Sequence, residues 1–378
     1  MEQNAAYWIT IAHIPKWNYA KINNLIKDIY IDNKSTIEDF FMLKADDWRE
    51  RFKLNETDIE SLINVKEQIP NNAFLAESLS NQGFEIIPII SPEYSKTLKE
   101  NLKLTYSPPV LYVKGNKLLL QESSTAVVGS RAASEVSITF TDNIAKAASK
   151  DYKVIVSGFA KGVDKAALDS AIKHKGHSII VLPQGILTFG SGFKKYYKQV
   201  IEGDVLVLST FHPKVPWKPE LAMARNPIIY GLAQNIYVAQ SSEKGGTWSG
   251  VKDGLRKGRL IYVRNPEIGE NVANDLLIKL GAKPVDMHGN EIVNAEDVDS
   301  IHHNQSESPN IDQQIQNVIQ MKPYTAKEIC AKIKCVWSTR KMADYLKQLA
   351  YIEVVKVGNS NKYCLKGQEG EQQTLNFD

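Results

Sequence analysis

The chain has 378 residues, 43% of them hydrophobic and 24% charged, with a formal net charge of +3. Such a length exceeds one compact core of ordinary size and predicts two or three domains, while so small a net charge excludes any inference about partners from the total alone. No apolar run approaches the ~20 residues of a membrane span, and Met1-Glu-Gln-Asn4 lacks the basic and apolar regions of a signal peptide, so a cytoplasmic protein with no membrane role is expected.

From Tyr7 to about Lys66 apolar residues recur at helical spacing, as at Ile22, Leu25, Ile26 and Ile29 and again at Ile59, Leu62 and Ile63. This predicts a small all-helical module over residues 1–75, with Ser35 or Thr36 placed to cap one of its helices. Over residues 76–285 the pattern changes to short apolar bursts. They run from Glu85 to Ile90, Val110 to Val113, Thr125 to Val128, Lys153 to Val156, His177 to Leu182, Asp204 to Leu208, Asn235 to Ala239 and Arg259 to Val263. Such strands are buried on both faces. With helical segments such as Ser134 to Lys150 and Lys165 to Lys175 between them, they predict an α/β, Rossmann-like, doubly wound and mainly parallel sheet. Its strand C-terminal ends share one rim, where the ligands of such sheets bind.

Residues 286–310 are polar and aperiodic, as a linker would be. Over residues 311–367, three helical patterns followed by Tyr351 to Val357 and Lys362 to Leu365 outline a winged helix. Ten Lys and Arg face four Asp and Glu there, and Arg340, Lys341 and Lys347 on the expected recognition helix suit a DNA backbone. Winged helices that bind proteins have the same outline. Cys330, Cys335 and Cys364 lack CxxC spacing, which disfavours a disulfide framework or a four-ligand zinc site. Residues 368–378 form a polar tail.

Two loops carry the strongest functional signal. Thr125 to Val128 runs straight into Gly129-Ser130-Arg131, and Val154 to Val156 runs into Ser157-Gly158-Phe159-Ala160-Lys161-Gly162-Val163-Asp164. Strands that stop on small residues before a helix present backbone N–H groups to a phosphate, and two such loops side by side predict one phosphate-binding crevice. Arg131 adds a fork-shaped donor, Lys161 a cation between glycines, and Asp164 reads as a helix N-cap. In Gly190 to Lys198, Lys194, Lys195 and Lys198 interleave with Phe193, Tyr196 and Tyr197. That combination suits single-stranded nucleic acid, and equally a helix with core tyrosines and solvated lysines. Arg225 and Asn226 are placed to close the crevice, and Gly245-Gly246-Thr247 offers more backbone donors. No Ser/His/Asp arrangement, HExxH or Walker motif is present, and the seven histidines are scattered. No catalytic residue, metal or cofactor is expected.

The ordered set Val128-Gly-Ser-Arg131, Ser157 to Asp164, Val181-Leu-Pro-Gln-Gly185, Arg225-Asn226, Gly258-Arg259 and Asn274 to Ala282, preceded by Ile90 to Leu98 and Pro108 to Gly115, resembles the DprA/Smf family of DNA-processing proteins. The resemblance implies a non-enzymatic, dimeric protein that binds single-stranded DNA, protects incoming strands in natural transformation and helps load the RecA recombinase. It implies DNA binding by Arg131, by Lys161, and by Lys194 or Lys195. The sequence departs from the family pattern at Leu168 (usually His), Pro227 (usually Arg), Gln240 (usually Glu), Ser209-Thr210 (usually Ser-Glu) and Lys16-Trp17-Asn18 (usually Gly-Ile-Gly). Two other readings stay open. Gly245-Gly-Thr-Trp-Ser-Gly250 is partly similar to a loop of lysine-decarboxylase-like phosphoribohydrolases, which cleave nucleoside monophosphates, but Val251-Lys-Asp253 follows where a Glu is needed. A regulator gripping duplex DNA through the winged helix is the third.

Overall fold

Six short helices precede the first strand: α1 (Ala5–Ala12), α2 (Tyr19–Lys27), α3 (Ile37–Met42), α4 (Ala45–Arg51), α5 (Glu56–Lys66) and α6 (Ile69–Asn81). The computed structural model describes residues 4–292, 311–320, 322–333, 339–349, 351–357 and 360–366. Thr36 caps α3 in a reciprocal box with Asp39, two of the orphan donors of that helix being satisfied at once.

The alternation of strand and helix then begins with β1 (Glu85–Pro88), α7 (Lys96–Tyr106), β2 (Val110–Gly115), β3 (Ser124–Val128), α8 (Glu135–Lys150), β4 (Val154–Ser157) and α9 (Val163–Lys173). It continues with β5 (Ser178–Val181), α10 (Gly190–Lys195), α11 (Tyr197–Glu202), β6 (Val205–Ser209), α12 (Pro219–Leu232), β7 (Asn235–Val238), α13 (Gly246–Arg256), β8 (Ile261–Arg264), α14 (Asn274–Lys279) and β9 (Lys283–Val285). These strands form one sheet in the order β1-β2-β6-β5-β4-β3-β7-β8-β9. From β6 to β9 every pair is parallel, and β1 and β2 extend the β6 edge antiparallel. The order reverses between β3 and β7, and that switch point opens a crevice above the strand ends. The expected α/β, mainly parallel sheet is present.

The packing does not break at residue 75. Met1–Ile292 forms one compact unit, and Trp8, Ile9 and Ile11 of α1 share a core with Leu111 and Tyr112 of β2. A set of helices this short cannot bury its own apolar faces, and the sheet edge supplies the missing surface. Nor do residues 286–292 behave as linker. They turn back on β9, with Val285 bridged to Glu291, Asp286 Oδ1 accepting N–H from His288 and Asn290, and Met287 O accepting from Asn143 Nδ2 at 2.9 Å. The rest of the expected linker, 293–310, and the tail lie outside the described residues. Among the described residues no helix is long and apolar enough to cross a membrane.

The second unit, Val293–Asp378, contains α15 (Ile311–Ile319), α16 (Ala326–Lys332), α17 (Thr339–Leu346) and the antiparallel pair β10 (Ile352–Val357) and β11 (Ser360–Leu365). Its own core gathers Ile315, Ile319, Ile329, Met342, Leu346 and Tyr363. The side chains of Arg340 and Lys341 lie outside the described residues, as does Cys335.

Candidate nucleic-acid interface

The two glycine loops are built against each other through backbone. Ser130 N donates to Gln240 O beyond β7 at 2.9 Å, and Val163 N at the start of α9 donates to Ser130 O at 3.2 Å. A Cβ on Gly129 would lie 2.6 Å from Val163 Cγ2, and one on Gly162, whose φ is +80°, would lie 2.2 Å from Ser130 O. Both positions therefore require glycine. Ser157 is buried, and its hydroxyl donates to Val127 O at 2.7 Å, so it ties β4 to β3. Gln240, where the family pattern has Glu, accepts the Ser134 N–H at 2.9 Å through Oε1 and so holds the segment leaving Arg131.

Asp164 is not the N-cap of α9. Gly162 takes that place, and Asp164 lies in the first turn, buried. Its carboxylate accepts backbone N–H groups of Ala160 and Gly129, which staples the second loop to the first. Burial pushes its pKa up, against the pull of the Arg225 and Arg131 charges and those two bonds. Arg225 on α12 is 4% exposed, and its Nη1 donates to Val181 O at 2.7 Å. Its guanidinium fills the space beside Gly158, where a Cβ would sit 1.9 Å from Nη1. Burial lowers the Arg225 pKa, opposed first by Asp164.

Two cavities open above these loops. The larger, about 500 Å³, lies over the β3/β7 switch point and is lined by Arg131, Asp164, Arg225, Asn226, Lys244 and Gly246 among others. Asn226 Nδ2 donates to Gly246 O at 3.3 Å and so anchors the Gly245-Gly246 turn at the N-terminus of α13. The smaller, about 280 Å³, lies over the ends of β4 and β5, with Gly158, Lys161, Gln184 and Trp217 in its walls. Arg131, Ala160, Ala222 and Arg225 line both. Arg131 and Lys161 are exposed, and among the described residues neither has an ion-pair partner. Unpaired cations on a rim of backbone donors are what a phosphate backbone needs.

Of the residues singled out in the sequence, Gly129, Ser130, Arg131, Gly158, Lys161, Arg225 and Asn226 line one or both cavities. Ser157 and Gly162 support them from below. Lys194 and Lys195 line neither: Lys195 pairs with Asp169 at 2.8 Å, and Lys194 is exposed on the same short helix. Two of the three aromatics interleaved with them face inward. Phe193 packs on Phe189 at 5.4 Å, and Tyr196 is buried with its hydroxyl on Asp169. Lys244 and Trp217, which periodicity and spacing did not single out, lie in the cavity walls. The signal available for Trp217 was a tryptophan between two prolines and two lysines.

The family model described as "DNA recombination-mediator protein A" matches residues 85–297, more than half of the chain and every element of the crevice. The DNA processing protein DprA of Streptococcus pneumoniae is 34% identical over 207 residues, covering 54% of this chain and 72% of the relative. That of Bacillus subtilis is 30% identical over 209 residues, covering 54% and 69%. The X-ray structure of DNA processing protein A from S. pneumoniae superposes with a TM-score of 0.60 at 26% identity, over 74% of this chain and 93% of that one. The matched segment begins at β1 and contains both glycine loops, Arg225 and the Gly245-Gly246 turn, and on that ground the chain belongs to the DNA recombination-mediator protein A family.

Proposed function

We propose that the protein binds single-stranded DNA along the rim of its parallel sheet and acts there without chemistry, as a DNA-processing mediator of recombination in natural transformation. The observation that carries this reading is Arg131: an exposed guanidinium with no ion-pair partner among the described residues, set between two adjoining cavities on loops that backbone contacts hold in place. Arg131 and Lys161 hold strand phosphates, and Lys244 with the start of α13 extends the track. The family resemblance supports protection of incoming strands, dimerisation and loading of a RecA-type recombinase in the cytoplasm. The winged-helix reading of the second unit is supported by its three helices and antiparallel hairpin.

A binding role rather than a hydrolytic one is supported by the acids of the larger cavity. Asp164 is the carboxylate in its lining, and its oxygens already accept the Ala160 and Gly129 amides. General acid/base cleavage needs a carboxylate free to exchange a proton with substrate.

Fluorescence anisotropy with labelled single-stranded and duplex DNA over a salt series tests the reading. Arg131→Ala and Lys161→Ala are each expected to weaken single-strand binding about tenfold, and each to make the slope of log K against log salt shallower by about 0.7. Equal binding by wild type and both variants removes the site assignment. Release of base from a nucleoside monophosphate by the wild-type protein replaces the binding reading with the enzymatic one.

A further inference from the structure

The smaller cavity differs in chemistry from a phosphate site. Phe159, Phe189, Pro183 and Trp217 give it apolar walls, while Arg131 and Lys161 stand at its margin. Trp217 is 49% exposed and belongs to none of the hydrophobic clusters of the described residues. Its ring therefore contributes little to folding, and it remains available to a flat partner.

The segment that carries Trp217 is held rigidly. Between β6 and α12 it is tied to the loop after β5 by Gly185 N to Val215 O at 2.8 Å and Leu187 N to Pro213 O at 3.1 Å. Pro216 and Pro219 fix two backbone angles on either side of Trp217. The facing wall is equally preset. Phe159 has a φ of +62°, unusual for a bulky residue, and its ring meets Phe189 edge-on at 4.9 Å. A preformed aromatic slot loses little freedom when it is filled.

We infer that the smaller cavity is a nucleobase subsite in which Trp217 stacks a base of the bound strand, the neighbouring phosphate lying on Arg131. The inference rests on the single-stranded DNA reading of the rim. It goes beyond it by giving one cavity to a base and by naming an aromatic platform. Arg131 borders both cavities, so a phosphate held there brings an adjacent sugar to the mouth of the slot. Stacking tolerates any base because every base has a π-face, and Lys214 and Lys218 beside the segment keep the approach cationic.

The test compares full-length wild type, Trp217→Phe and Trp217→Ala for affinity to an oligothymidylate and to an abasic strand of equal length, with thermal unfolding of each protein alongside. Wild type is expected to bind the base-bearing strand about tenfold or more tighter than the abasic one. Trp217→Ala is expected to lose most of that preference at unchanged melting temperature and salt slope, and Trp217→Phe to keep most of it. Quenching of a 2-aminopurine-containing strand's emission on binding is expected to fall in Trp217→Ala. Unchanged preference and quenching in Trp217→Ala, or equal loss on both strands, overturns the subsite while leaving the rim as a phosphate site. Absence of any strand binding by wild type overturns the rim reading and the subsite together.

Discussion

Gly158 has no side chain because Arg225 occupies the space that a methyl group would take, with Nη1 1.9 Å from an ideal Cβ. The guanidinium cannot retreat cheaply. Nη1 is bonded to Val181 O, Nε has no hydrogen-bond partner among the described residues, and Asp164 lies within its field. Gly158→Ala therefore displaces a buried charge, and such overpacking costs about 1–3 kcal/mol. Urea unfolding is expected to show that loss, together with weaker single-strand binding, because Arg225 and Asp164 set the floor beneath Arg131. Unchanged stability in Gly158→Ala would mean that Arg225 has another resting place. At this scale the sequence was informative about exposed groups and poor on buried ones. Arg131 and Lys161 follow from strand ends and glycines. Asp164 reads as a cap because side-chain spacing cannot reveal that its oxygens reach across to the neighbouring loop. Lys194 and Lys195 were named from composition, which does not distinguish a lysine on the rim from one paired with Asp169 on a helix.

At the scale of elements, α1 and its following turn are set on the β2–β6 edge by a polar contact inside an apolar seam. His13 Nε2 shares a hydrogen bond of 2.9 Å with the Tyr112 hydroxyl, and its ring lies 5.2 Å from that of His212, just beyond β6. Burial, then the His212 ring, lowers the His13 pKa from 6.5 to about 3, and burial, then Lys214, lowers that of His212. A histidine held neutral in the fold contributes fully above the unfolded value of 6.5. Below it the unfolded chain takes up the proton that the folded chain refuses, and stability falls as pH drops toward 3. The maximum slope for one such group is about 1.4 kcal/mol per pH unit. His13→Gln keeps a hydrogen-bonding partner for Tyr112 and cannot titrate, so its melting temperature is expected to decline less than that of wild type between pH 6.5 and 4. Parallel declines would remove His13 from the acid response. The seam itself was not legible in the sequence: the helical periodicity is clear, but which surface covers it depends on the strand order. Strands buried on both faces were legible from their apolar runs, whereas β9 was not, since Lys283-Pro-Val285 is too short to show a pattern.

For the whole molecule, the division at Ile292 separates two explanations of DNA binding. Every lining residue of the two cavities lies in the first unit, whose core is continuous from α1 to the last strands. The second unit has its own core and an excess of basic residues, ten against four over residues 311–367. If the rim carries the binding, a chain ending at Ile292 folds cooperatively and binds a short single strand within about threefold of the full chain, a difference of about 0.6 kcal/mol. If the second unit grips the backbone, the truncated chain loses affinity and its salt dependence becomes shallower by about 0.7 for each phosphate contact removed from a single strand. Duplex DNA sharpens the comparison. A helix in a major groove reads a duplex, whereas a slot that stacks unpaired bases rejects one. Retained single-strand binding with duplex binding lost on truncation would assign one nucleic-acid form to each unit, and single-strand binding lost on truncation would remove the rim from its central place.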